Sequence, residues 1–212
     1  MERMDNLKHV ILIRFCLGKD IKWLKKREKE FYAWTFPSLV GQTNQNFEVW
    51  LLHSLLEEAN FVFPPDFKLV KIKNRGAAPA EGEIERIMDW DISTRLDSDD
   101  ALSLDYVERV QALASTLDIF KNATLLDFPD GYYEEHGVYY KRRWMNSPFC
   151  TVIGRGRHVW EDQHGFIHKH FQNILRVDGP AWIHVKHKNS STYKTDPFVG
   201  QQTELEGNFH VN

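Results

Sequence analysis

An alternation of apolar strand-like runs with helix-spaced segments constrains this chain more than any other feature. "HVILIRFCL", His9 to Leu17, is an unbroken aliphatic and β-branched run, as expected for a strand buried on both faces. "IKWLKKREKEFYAWT" follows with Ile21, Leu24, Glu28 and Phe31 on neighbouring helical turns. The charge run from Lys25 to Glu30 reads as that helix's solvated face. Pro37 suits the first turn of a short helix, "PSLVGQT", because its missing N–H costs nothing there. "NFEVWLLHS", Asn46 to Ser54, is the next strand, and Lys68 to Ile72 is a third after a Pro-Pro turn. "PAEGEIERIMDW" sets Ile84, Ile87 and Met88 on one side of an expected helix. "DISTRL" then leads into an acidic cluster. Beyond it, Leu104, Val107, Val110, Leu113, Leu117 and Phe120 form a helix stripe, and "NATLLDF" reads as a strand. Such an order predicts an α/β fold: a mostly parallel central sheet with helices on both faces. The C-terminal third, rich in His, Tyr, Trp and Arg, is less regular and reads as strands and loops laid over an active face.

Bulk properties exclude several classes. With 212 residues and no repeat or Ser/Gly-rich linker, one domain is expected. A net charge of -3 leaves no basic field for nucleic acid. The two cysteines, Cys16 and Cys150, lie in apolar runs, as buried thiols of a reducing compartment do. No apolar segment approaches the roughly 20 residues of a membrane span, so a cytoplasmic protein is expected.

The segment "TRLDSDDAL", Thr94 to Leu102, crowds Asp97, Asp99 and Asp100 at the end of a strand. Open α/β sheets bind ligands outside the carboxyl ends of their strands. Carboxylates held together stay ionised cheaply when a cation joins them. Oxygen ligands suit Mg²⁺ or Mn²⁺, which also bind substrate phosphates. A metal–diphosphate platform is therefore the chemical reading of the cluster. One aspartate there is explained equally well as a helix cap, but three are not.

Several segments in this order resemble a known family. "PSLVGQTNQNFEVWLL" is similar to a helix-to-strand passage of the large inverting glycosyltransferase family with the GT-A fold. "NRGAAPAEGEIERIMDWDISTRLDSDDAL" resembles that family's Asn-x-Gly turn, helix, strand and D-x-D motif. More narrowly, "ILIRF", "PSLVGQT", "TRLDSDDAL", "NSPFCTVI" and "HKNSS" together resemble the rhamnosyltransferases.

The resemblance implies a GT-A, Rossmann-like three-layer sandwich. Residues up to about 120 would form a nucleotide-sugar-binding half, and 121–212 an acceptor-side half. It implies metal-dependent, inverting transfer of a sugar, rhamnose as first guess, from a UDP-, dTDP- or GDP-linked donor to a carbohydrate acceptor. Asp97 and Asp99 match the D-x-D pair, Asp100 the extra acid, and His187 a histidine that completes the metal site, with His184 as the alternative. Arg14, Arg75 and Arg95, with Asp97, are the implied donor-binding residues, since a guanidinium fork suits phosphate or sugar hydroxyls. The general base is expected to be Asp162, beside Glu161, in "HVWEDQHGF". The sequence departs from the family at the end of "WLLHS", where His53 or Ser54 replaces the usual base-contacting aspartate. The chain is also short for the family, so acceptor binding is expected from a small region or from other domains of a glycan-assembly system.

Two other readings stand beside this one. His158, Asp162, His164, His168 and His170 are close in sequence, and His164 and His168 have a zinc-ligand spacing, as in a metal-dependent hydrolase. The alternative is a carbohydrate-binding domain that keeps a transferase fold without turnover.

Overall fold

In a computed structural model, residues 7–16, 21–54, 65–72, 83–119, 121–187, 201–206 and 208–210 are described. β1 (His9–Cys16) is the hydrophobic centre, with Val10, Ile11, Leu12, Ile13 and Phe15 all buried. A strand apolar at consecutive positions needs cover on both faces, and it has it. Parallel neighbours flank it: β2 (Glu48–His53) on one side and β4 (Ile92–Asp97) on the other. β3 (Phe67–Lys71) continues the sheet in parallel beyond β2. Beyond β4 lie β9 (Cys150–Ile153), β6 (Thr124–Asp127) and β10 (Asn173–Arg176), giving the order β10-β6-β9-β4-β1-β2-β3. β9 alone runs antiparallel, so the sheet is mostly parallel.

One face of this sheet carries α1 (Ile21–Glu30), α2 (Phe36–Val40) and α3 (Tyr106–Ala114). Leu24, Phe31, Leu39, Val107 and Val110 there meet Ile11, Ile13 and Phe15. A π-helical turn, Phe31–Thr35, joins α1 to α2. The opposite face packs Val10, Leu12 and Trp50 beneath Ile84, Trp90, Trp160, Ile167 and Phe171, with α4 (His164–Ile167) at its edge.

A second sheet has the order β12-β8-β7-β11-β5. It comprises β5 (Ala101–Leu102), β7 (Asp130–Glu135), β8 (Val138–Arg143), β11 (Trp182–Val185) and β12 (Gln202–Thr203). Leu102, Phe128 and Trp182 from this region join the first sheet's core, so the two sheets share one interior. Trp182 stacks on Phe149 with ring centroids 4.7 Å apart, and its indole N–H donates to the Phe128 carbonyl at 2.7 Å. Gly131 on β7 makes room for that indole; a Cβ there would stand 2.2 Å from Trp182.

Two expected helices differ. Residues 83–87 form turns, closed by an Ile87 N–H to Ile84 carbonyl bond, although Ile84, Ile87 and Met88 do face the core as the pattern predicts. The helix expected to run to Phe120 ends at Ala114. Ser115 and Thr116 hydroxyls donate back to the Ala112 and Leu113 carbonyls at 2.6 and 2.8 Å, offering the backbone an alternative to further helix. Leu117 still packs on the core, and Phe120 lies outside the described residues.

Candidate active site

β4 delivers Asp97 at its C-terminal end, and a tight turn follows, the Asp100 N–H donating to the Asp97 carbonyl at 3.3 Å. The register of β1 against β4 places Arg14 directly opposite Asp97. Arg14 Nη2 lies 3.3 and 3.4 Å from the two Asp97 oxygens, and Arg95 Nη2 is 3.8 Å from Oδ1. Trp160 covers this pair: its ring lies 4.0 Å from Arg95 Cζ and 5.5 Å from Arg14 Cζ. Burial lowers the Arg95 pKa from its ordinary value, with the Asp97 charge opposing that shift. Its Nε and Nη1 are buried without a hydrogen-bond partner among the described residues.

Asp99 faces a different set of groups. Its Oδ2 lies 2.9 Å from His187 Nε2, a residue 88 positions away that follows β11. The Arg27 guanidinium contacts the same oxygen and lies 3.4 Å from His187 Nε2. Burial first, and then the Arg27 charge, holds His187 below its ordinary pKa, which favours the neutral imidazole a metal would need. Asp100, which is 1% exposed, turns toward the second sheet. It accepts the Val185 N–H at 2.9 Å and has His184 Nδ1 at 3.2 Å. The Thr35 hydroxyl, at the end of the π-helical turn, donates to the Asp100 carbonyl at 2.8 Å. π-Helical turns recur at functional sites.

The "PSLVGQT" segment braces this loop from below. Gln42 is buried; its amide donates to the Ser38 and Ser103 carbonyls at 2.8 and 2.7 Å, and its Oε1 accepts the Val107 N–H at 3.0 Å. One side chain thus links α2, the loop after the aspartates and the first turn of α3.

Asp97, Asp99 and Asp100 are adjacent in sequence, yet each is matched to a different basic partner. Among the described residues no three His, Cys, Asp or Glu side chains surround one point as around a metal. The donor types of a divalent site are nevertheless present. One carboxylate oxygen and one neutral imidazole nitrogen converge at 2.9 Å, where a cationic side chain already sits. Mg²⁺ commonly takes one or two carboxylates and completes its shell with water and substrate phosphates.

Asp162 and Glu161 are held within their own segment. Asp162 accepts from the Gln163 N–H at 2.7 Å and pairs with His170 Nε2 at 2.9 Å, a bond that lowers its pKa. Glu161 accepts two 2.6 Å bonds from Arg157 and the His158 N–H at 3.0 Å. His158 is buried and points to Glu85 at 3.0 Å, while His170 pairs with Asp162, so these two members of the zinc-like grouping have separate partners; the His164 side chain lies outside the described residues. His53 ends β2 and is buried, and Arg75 lies outside the described residues. Arg27 is the site residue that the sequence reading missed. It belongs to the charge run assigned to solvent, but it is only 8% exposed. Its position was the available signal: three residues after Leu24 and four before Phe31, it falls on the buried stripe of α1.

Residues 71–197 match the sequence profile of the family described as "Putative rhamnosyl transferase". The chain belongs to this family. The matched span includes β4, all three aspartates and His187. Among solved structures, the chain is similar to S. aureus TarS 1-349 in complex with UDP-GlcNAc, with a TM-score of 0.58 and 11% identity over 91% of this chain and 62% of that one. Against the same protein with UDP, the TM-score is 0.56 at 12% identity, covering 85% of this chain and 60% of that one. The likeness bears out the GT-A-type α/β fold for this family member, and the chain spans less than two thirds of those structures. No curated protein matches it. Among the described residues no helix is long and apolar enough to cross a membrane.

Proposed function

We propose that the protein transfers a sugar from a nucleotide-diphosphate donor to a carbohydrate acceptor, with a divalent cation, Mn²⁺ or Mg²⁺, at Asp99 and His187. The observation that carries this reading is the junction of Asp99, at the carboxyl edge of a mostly parallel sheet, with a histidine brought from 88 residues away. Membership of a rhamnosyl transferase family supports glycosyl transfer and makes rhamnose the first sugar to test. The UDP and UDP-GlcNAc complexes of TarS, whose fold this chain resembles, support a nucleotide-sugar donor.

In this reading the cation supplies charge neutralisation of the departing diphosphate. Asp99 and His187 would hold it, and Asp97 would stand next to them. Asp97, steadied by Arg14, orients the donor's ribose or sugar. Arg14 and Arg95 present guanidinium N–H groups at the same edge, and the Trp160 ring lies against both. Inverting transfer needs a base for the acceptor hydroxyl, and Asp162 takes that role with its carboxylate kept ionised by His170. The acceptor is completed by residues 121–212 or by further domains of a glycan-assembly system.

A thermal-shift panel of UDP, dTDP and GDP, each with and without Mn²⁺, tests the reading. One nucleotide should raise Tm only together with Mn²⁺, and Asp99→Asn should abolish that joint shift. Stabilisation by Zn²⁺ alone, with no nucleotide effect, would refute it in favour of hydrolase chemistry. No shift with any pair would leave a sugar-binding domain without turnover.

A further inference from the structure

Arg27 is a buried cation that none of the sequence motifs contains. α1 places it on the stripe between Leu24 and Phe31, so its stem is packed and its guanidinium is directed at the aspartate loop. There it contacts Asp99 and lies 3.4 Å from His187 Nε2. Its opposite side stacks over Trp23, with Cζ 4.7 Å from the ring centroid. Burial lowers its pKa from the ordinary arginine value, and the charges of Asp100 and Asp97 oppose that shift. The guanidinium therefore occupies the place where the proposed metal would bind. A metal ligated by Asp99 Oδ2 and His187 Nε2 would touch it, and two cations cannot share one carboxylate oxygen at contact without strong repulsion. An isolated buried carboxylate is costly, so some positive charge must stand beside Asp99 at all times.

We propose that Arg27 is a resident counter-cation: it neutralises Asp99 and orders His187 in the donor-free protein, and the entering metal displaces it from Asp99. The Trp23 ring gives the displaced guanidinium a seat, so it stays at the edge of the site. The proposal rests on the donor-site reading above, in that the metal position is the one assigned there. It makes metal binding in the absence of nucleotide weak by construction, because the metal must compete with an internal cation.

The test is Mn²⁺ binding to the full chain, freed of metal by chelation and without nucleotide, read as free Mn²⁺ by electron paramagnetic resonance. Arg27→Met should bind Mn²⁺ at least about tenfold more tightly than the wild type, because the competing charge is gone. Arg27→Lys, which keeps the charge, should stay near the wild type. In chelator, Arg27→Met should also melt several degrees lower, and Mn²⁺ should restore that loss. Should Arg27→Met fail to fold, Arg27→Gln carries the same expectation. Unchanged or weaker Mn²⁺ binding in the neutral variants overturns the proposal. Nucleotide binding is read separately on the wild type with Mn²⁺. Its presence alongside unchanged metal affinity in the variants removes only the role of Arg27, whereas its absence removes the donor reading itself.

Discussion

Asp100 and Asp99 are neighbours with opposite duties, and single substitutions should separate them. Asp100 accepts the Val185 N–H and pairs with His184 while 1% exposed. Asp100→Ala leaves the buried Val185 N–H unsatisfied and removes the charge beside His184, so urea unfolding should show a loss of about 3 kcal/mol. Asp162 tests catalysis rather than stability. Asp162→Asn should lower kcat by at least about a hundredfold with donor affinity unchanged, read by steady-state kinetics and calorimetry. Equal losses in both would remove it as the base. His9 provides a pH dependence. It is buried, its Nε2 bonds the Thr94 hydroxyl at 2.8 Å, and burial depresses its pKa from 6.5 to about 3. The unfolded chain therefore binds a proton that the folded chain refuses. Its contribution to stability is fully present above pH 6.5 and is lost as pH falls toward 3. Between pH 6.5 and 5 the loss should be about 2 kcal/mol. His9→Gln should flatten that part of the urea-stability profile.

At the scale of elements, β1, β2, β3, β4 and β6 of the first sheet are legible in the sequence, while β9, β10 and the second sheet are not, for a physical reason. β1 and β2 are buried on both faces, so each appears as a run of consecutive apolar residues that few other structures tolerate, whereas β4, with Ser93, Thr94 and Arg95 buried, is marked by the acidic cluster that ends it. β7 and β8 read "DGYYEE" and "VYYKRR"; their charges mask the buried Tyr132 and Tyr133, and Glu134 is itself buried. The aspartates of the site were visible because they cluster at a strand end. Arg27 was not, because a buried cation inside a charge run looks like its solvated neighbours until its helical position is compared with Leu24 and Phe31. The contact of β7 with β11 also gives a prediction at this scale. Gly131→Ala would drive a methyl group into the Trp182 indole, at 2.2 Å, where nothing small can yield. It should cost about 3 kcal/mol or more in chemical denaturation, and lose the near-ultraviolet signal of the Trp182–Phe149 stack.

For the molecule as a whole, the shared interior is the decisive feature. Leu102, Phe128 and Trp182 from the second sheet's side lie in one cluster with Ile11, Leu51 and Val110 from the first. The two sheets should therefore unfold together. Far-ultraviolet circular dichroism and tryptophan fluorescence should give coincident denaturation curves, and two separated transitions would show instead that the halves are independent. The link between Asp100 and Val185 spans 85 residues, and its consequence is one of timing. During synthesis, the aspartate turn emerges long before the strand that supplies its N–H partner and the histidines beside it. A nascent chain paused before β11 holds the acidic residues without the groups that fix their geometry. The aspartate turn therefore reaches its full set of partners, and the proposed donor site can form, only once the chain has been made through His187.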